Sequence, residues 1–157
     1  MRLFNRLLQV VLLTALLATA CEKEPKAESQ PTLATTYSTM TGDWKLTSWG
    51  GVEPMEGLYS YLRIEGSERS FAIYDNLSTM YTHLTTGCFT IEQNDLGEYI
   101  VRGSYDYNLG DWNDDYRVVI LSPGDNMVWY RLGDNEELHY TLIDAIPEEI
   151  IRDARTE

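Results

Sequence analysis

Histidine and cysteine are scarce in this chain, with two of each in 157 residues. His83 and His139 stand far apart, and neither has a second His or Cys beside it at metal-ligand spacing, which argues against a zinc site. Two cysteines, Cys21 and Cys88, allow one bridge at most, so no disulfide framework can replace a core. Gly-x-Ser-x-Gly elbows and Gly-rich phosphate loops ahead of a helix are missing, and no nucleophile stands paired with a base. The sequence therefore predicts a non-enzyme with no catalytic residues and no cofactor. Positive charge is also short, 12 Lys+Arg against 25 Asp+Glu. A surface this acidic argues against binding nucleic acid or lying flat on anionic lipid. Long apolar runs are absent except at the N-terminus.

That exception begins with Arg2 and Arg6 and runs apolar from Leu7 to Leu17, broken only by Gln9 and Thr14. Spanning a bilayer takes roughly 20 apolar residues, so the run is too short for a membrane helix. A basic start, a short apolar core and small residues at 18–20 are the layout of a secretory signal, assigned here to residues 1–20. The ending Ala18-Thr19-Ala20-Cys21 resembles a bacterial lipobox, with Ala at the position where Leu is commoner. The resemblance implies cleavage before Cys21 and acylation of its sulfur and new amino group. Each buried acyl methylene contributes about 0.8 kcal/mol, and two chains already give stable anchoring. The expected partner is thus a membrane, in the bacterial cell envelope and there the outer membrane, with either face open. An acylated Cys21 also leaves Cys88 without a disulfide partner. With Arg2 and Arg6 removed, ten cations face 25 acids, a net charge of −15.

Residues 21–40 carry charges, two prolines and small polar side chains without an apolar period, and read as a flexible acidic tether. Glu22 and Glu24 resemble the acidic export signals of surface lipoproteins in the Bacteroidetes. Residues 41–157 are assigned to one folded domain.

In that domain, short alternating segments are separated by Gly, Pro, Asn and Asp: 44–49, 58–64, 71–74, 88–93, 98–107, 115–121, 127–132 and 138–143. Period-two alternation between turn residues is the signature of strands and hairpins. Leu62 and Ile64 share one face against Arg63 and Glu65. Tyr99, Val101, Gly103 and Tyr105 share a face against Arg102 and Asp106. A ribbon with one dry face must close or fold over to hide it, and closure removes aggregation-prone edges. Gly103 reads as a bending point. Residues 77–86 show no clean strand. The end, 146–157, has Pro147, early acids and late arginines in the order that suits a helix dipole, with Ile146, Ile150 and Ile151 to dock it. Cys88 is out of phase with Phe89 and Ile91 and falls on the strand's outer surface. The fold expectation is an all-β, eight-stranded antiparallel up-and-down barrel with a short C-terminal helix.

The opening strand, "TGDWKLTSW" (41–49), resembles the first strand of lipocalins, with Gly42, Asp43 and Trp44 as its Gly-x-Trp. In order, "YLRIEGSERSFAIYD", "GCFTIEQN", "GSYDYNLGDWNDDYRV" and "IPEEI" are similar to stretches of small lipocalin-like lipoproteins of the Bacteroidetes, over residues 41–150. The second and third lipocalin signatures are not evident. The resemblance implies a lipocalin-like barrel whose Trp44 plugs the closed end. It implies an apolar interior, which in an eight-stranded barrel is either filled by side chains or holds one small ligand. By phase, the candidate ligand-lining residues are Phe71, Phe89, Tyr105 and Trp129, with Tyr99 and Tyr116 also inward.

Asp111, Asn113 and Asp115 match the first three spacings of an EF-hand loop. Tyr116 replaces its Gly and Ser122 its terminal Glu, which leaves at most a weak calcium contact. Two functional readings follow. The first is a lipoprotein that binds a small apolar or amphipathic molecule in the barrel. The second is an envelope interaction module, a filled scaffold presenting Trp49, Trp112 and Tyr130 to a protein or glycan partner.

Overall fold

The computed structural model of the chain describes residues 30–107 and 109–156. The predicted leader, Cys21 and the tether as far as residue 29 lie outside the described residues. Eight long strands follow one another: β2 (Gly42–Trp49), β3 (Ser60–Glu65), β4 (Ser70–Asp75), β5 (His83–Gln93), β6 (Tyr99–Tyr105), β7 (Tyr116–Leu121), β8 (Asn126–Arg131) and β9 (Glu137–Ile143). Each pairs antiparallel with the next, and β9 returns to β2, so the ribbon closes as an up-and-down barrel. A ninth, outside strand, β1 (Thr32–Leu33), lies on β7. A four-residue helix, α1 (Tyr37–Met40), precedes the barrel and α2 (Glu148–Asp153) follows it.

The alternation sets the faces. Ser60, Leu62 and Ile64 of β3 are buried while Tyr61 and Arg63 between them are half-buried. Trp44, Leu62, Ile64, Phe71, Phe89, Val101, Val118, Ile120, Met127 and Trp129 converge from the strands on one core. One strand is longer than its alternation predicts. β5 starts at His83 rather than Cys88, because Leu84, Thr85 and Thr86 pair with β4 without presenting an apolar stripe.

The ring has one thin seam. β6 and β7 share two registered pairs, Ile100 with Arg117 and Val101 with Tyr116. The free end of β7 is taken by β1, with Thr32 opposite Leu121 and Leu33 opposite Ile120. Beside it, the buried Thr35 hydroxyl donates to the Val118 carbonyl at 2.9 Å. The chain then turns through α1 under the barrel end. The Thr36 side chain caps α1 by accepting from the Thr39 amide at 3.1 Å, satisfying one of the free amides of a helix start. Met40 is fully buried. Residues 32–40 therefore belong to the folded domain, a correction to the tether boundary at residue 40. Their composition hides this because only Thr35 and Met40 are buried.

α1 closes the barrel end at which β2 begins. The Trp44 indole N–H donates to the Met40 carbonyl at 2.8 Å. The Tyr37 hydroxyl accepts from the Ile91 amide at 3.2 Å. At the same end Arg63 holds Asp43 through two hydrogen bonds of 2.7 Å, and the Ile146 amide donates to the same carboxylate at 3.0 Å. The start of the C-terminal segment is thereby tied to β2. Its last residues reach the opposite end, where the Leu84 amide donates to the Arg155 carbonyl at 2.8 Å. That opposite end carries the loops 50–59, 76–82, 106–115 and 132–136.

Candidate functional site: the barrel interior

The four ligand-lining candidates come from four different strands, Phe71 from β4, Phe89 from β5, Tyr105 from β6 and Trp129 from β8, and all four line one interior cavity of about 130 Å³. Met40 contributes from α1, and Leu62, Ile64, Ile73, Tyr116, Leu138 and Tyr140 from the other walls. Tyr99, inward by phase, does not join this core. Trp44 is fully buried at the closed end and is not part of the cavity wall.

Two glycines let aromatic rings occupy the interior. A Cβ at Gly87 would fall 2.7 Å from the Phe71 ring, and one at Gly103 would fall 2.2 Å from the Trp112 indole. Gly103 thus leaves space for a ring, whereas the sequence suggested a bend. The β6–β7 loop folds back along β6, and the Trp112 amide donates to the Gly103 carbonyl at 2.8 Å. Its indole then meets Phe71 at 5.2 Å, Tyr116 at 5.8 Å and Trp129 at 6.0 Å between ring centroids. Trp129 in turn makes edge contacts with Tyr116 at 5.5 Å and Tyr140 at 6.2 Å. Tilted and edge-on pairs at these separations are the favoured aromatic geometries. Trp112 is therefore a cavity-wall residue and not an outward-facing one. Tyr130 is half-buried beneath the Arg117 guanidinium, 3.9 Å from its ring centre. Of the three aromatics expected on the surface, only Trp49 is exposed, at 43 %.

The cavity wall holds no charged side chain. Burial pushes the phenols of Tyr105, Tyr116 and Tyr140 up from their ordinary range, so all three stay neutral and can donate. Around Tyr116 the neighbouring Tyr105, Asp114 and Glu136 add to that shift and Arg131 opposes it. Asp75 adds to it at Tyr140. The Trp129 indole nitrogen is buried and has no hydrogen-bond partner. Buried donors are nearly always paired, so an unpaired one calls for an explanation. The arrangement offers apolar walls, stacking faces and neutral donors, the equipment of a binding site.

The remaining candidates are dispersed. Cys88 is free and exposed on the outer face of β5. His139 meets Glu137 at 2.9 Å on the outer surface of β9. Among the described residues, no three His, Cys, Asp or Glu side chains gather where they could hold a metal ion. In the Asp111–Asp115 stretch, the Asp115 carboxylate is occupied by Arg102 at 2.7 Å, and Asp111 is exposed where its backbone bridges to Ser104. A second apolar feature lies outside. Trp49, Val52 and Met55, with Leu58 and Leu77, line a surface cleft beside the open-end loops.

Sequence reading missed Trp112, Tyr140 and Met40 as cavity residues. The available signal for Trp112 was a glycine on the dry face of β6 with a tryptophan nine positions on. No family model, curated protein or solved structure matches the chain.

Proposed function

We propose that this protein is a lipocalin-like lipoprotein of the cell envelope whose barrel binds a small apolar or amphipathic molecule. The observation that carries the reading is the uncharged aromatic cavity of about 130 Å³. Drug-sized ligands use pockets of roughly 300 Å³ or more, but an engineered apolar cavity of about 150 Å³ takes up benzene. The fitting occupant is about one ring in size, and a larger one requires Trp112 to withdraw. Ile73→Phe tests this by filling the cavity from β4. Titration of the protein with small cyclic hydrocarbons should show saturable binding that this variant abolishes. Absence of saturable binding in the wild type would refute the reading.

The membrane part rests on the lipobox resemblance at Cys21. The described chain starts at the α1 end of the barrel, so an anchor on Cys21 would hold that end towards the membrane and direct the open-end loops away from it.

A second reading, a non-catalytic interaction module, is favoured by a different observation. The four open-end loops each expose a large apolar residue: Met55, Met80, Tyr107 and Leu132. A partner at this rim would be lost from an envelope pull-down when Trp49, Val52 and Met55 are changed to Ser, while Ile73→Phe would leave it in place.

A further inference from the structure

The surface cleft beside the open-end loops carries a chemistry of its own. This inference rests on the second reading above, the interaction module. Val52 is 69 % exposed and Met55 74 %. Trp49 and the half-buried Leu58 and Leu77 line the same cleft. Hydrogen-bonded turns hold these side chains in place. Trp49 and Val52 exchange backbone bonds of 2.8 and 3.0 Å across Gly50 and Gly51, both at positive φ. The Gly50 amide donates to the Glu137 carbonyl at 2.8 Å. The Asn76 side chain accepts from the Tyr59 amide at 2.8 Å and donates to the Gly57 carbonyl at 2.9 Å. An apolar surface on an ordered frame loses little conformational freedom when it binds, and exposed patches of this kind mark interaction sites.

Charge selects the occupant. The four open-end loops hold two acids in 50–59, four in 106–115 and two in 132–136, with no Lys, Arg or His in any of them. The arginines nearby are engaged: Arg131 by Asp134 and Glu136 at 2.7 Å each, Arg152 by Asp153 at 2.9 Å, and Arg155 over the Tyr81 ring at 5.3 Å. Glu53 lines the cleft and Glu56 follows Met55; both are exposed. Neither belongs to an ion pair among the described residues. A second copy seated here would bring like charges together, and an anionic lipid surface would be repelled. A basic partner meets neither cost.

We propose that this cleft docks a basic amphipathic segment of another protein, whose apolar side chains seat on Trp49, Val52 and Met55 while its Lys or Arg pair with Glu53 and Glu56.

Four short fluorophore-labelled peptides of one length test this by anisotropy. The first carries Leu on one helical face and Lys on the other. The second and third carry Gln or Glu in place of Lys, and the fourth carries Ser in place of Leu. The Leu–Lys peptide should bind the protein saturably and at least about tenfold more tightly than the other three. Val52→Ser with Met55→Ser should weaken it about tenfold. Glu53→Gln with Glu56→Gln should remove the preference for Lys over Gln. Glu68→Gln with Asp95→Asn takes the same charge from exposed turns at the α1 end and should leave that preference intact. An equal loss in this control, or equal binding of the Ser–Lys peptide, would reduce the effect to general charge attraction and overturn the proposal. Phosphatidylcholine vesicles that shift the Trp49 emission, or dimerisation that Met55→Ser abolishes, would also overturn it by naming a different occupant. An envelope partner lost when Trp49, Val52 and Met55 are changed, without any preference for Lys, would overturn the basic class and leave the module reading standing. A pull-down indifferent to those three changes would overturn both. The wild-type peptide series decides the charge class without any variant.

Discussion

The Trp112 indole lies against the bare Cα of Gly103, so that a Cβ there would fall 2.2 Å from indole carbon Cε2. Residue 103 thereby decides whether the β6–β7 loop can place its tryptophan inside the barrel. Gly103→Ala is expected to expel the indole. Overpacking a well-filled site typically costs 1–3 kcal/mol, and a loop ring has an exit, so a cost of about 1 kcal/mol is expected. Tryptophan emission should shift to the red, and the shift should vanish when Trp112→Ala is added. Trp112→Ala alone should cost roughly 2 kcal/mol, below the range for a fully buried tryptophan, and should admit probes larger than one ring.

The pair at the other end predicts an acid response. The Arg63 guanidinium holds the Asp43 carboxyl below the usual range, with the Ile146 amide assisting and burial opposing. A carboxyl whose folded pKa lies below its unfolded one stabilises the fold above the unfolded pKa, near 4. That contribution is lost as pH falls through the lowered value. Asp43→Asn should therefore cost about 1–2 kcal/mol at neutral pH, the scale of a charge-assisted hydrogen bond in a partly buried pair. The difference should shrink below pH 4. Urea midpoints of both proteins at pH 7 and pH 3 check this, and a gap that does not narrow in acid would refute the assignment.

Residues 32–40 make a third case. A chain beginning at Thr41, where composition places the domain, loses the β1 pairing on β7, the Thr35 bond to Val118 and the Met40 side chain. Losing a buried methionine alone costs about 2–5 kcal/mol, and the Trp44 indole N–H loses its acceptor as well. That chain should unfold at markedly lower denaturant than one beginning at Gln30. In the longer chain, Thr35→Val should cost about 1 kcal/mol by orphaning one hydrogen bond. Equal midpoints for the two chains would mean that the segment only rests on the barrel.

Which parts of the fold were legible follows from where the information resides. Strand identity is a local property: Leu62 and Ile64 against Arg63 and Glu65 declare both the strand and its dry face. That the dry face must be covered was legible from the same alternation; that it is covered by closure and not by folding over is decided by the pairing of β9 with β2, a contact between the two ends of the ribbon. The inward phase of Phe71, Phe89, Tyr105 and Trp129 followed from the same parity rule, since a strand's side chains alternate strictly. Loop residues have no parity. Trp112 sits in a stretch dense with Asp and Asn, which suggests solvent, and only its fit against Gly103 takes it inside. Tyr140 alternates in a strand whose other residues are mostly half-buried on both faces, so β9 gave no clear contrast. Thr35 and Met40 are buried by contacts with Val118 and Trp44, distant or irregular partners that a linear pattern does not encode.

The proposed lipid anchor at Cys21 would also fix how the barrel is oriented. Fully extended, residues 22–30 reach roughly 30 Å, and they join the barrel beside the β1–β7 edge, at the α1 end. An acylated Cys21 would then keep that end nearer the lipid than the open-end loops. Leu96, in the β5–β6 turn at the α1 end, is 83 % exposed, and Met55, in an open-end loop, is 74 % exposed. Either position therefore tolerates a fluorophore on a substituted cysteine once the exposed Cys88 is changed to Ser. With nitroxide-bearing lipid in the membrane, the label at Leu96→Cys should be quenched more than that at Met55→Cys. Cys21→Ser should move the protein out of the membrane fraction and abolish quenching at both positions. Retention of that variant in the membrane would remove the lipid anchor from the proposal, and stronger quenching at residue 55 would instead bring the apolar rim of Met55, Met80, Tyr107 and Leu132 onto the bilayer.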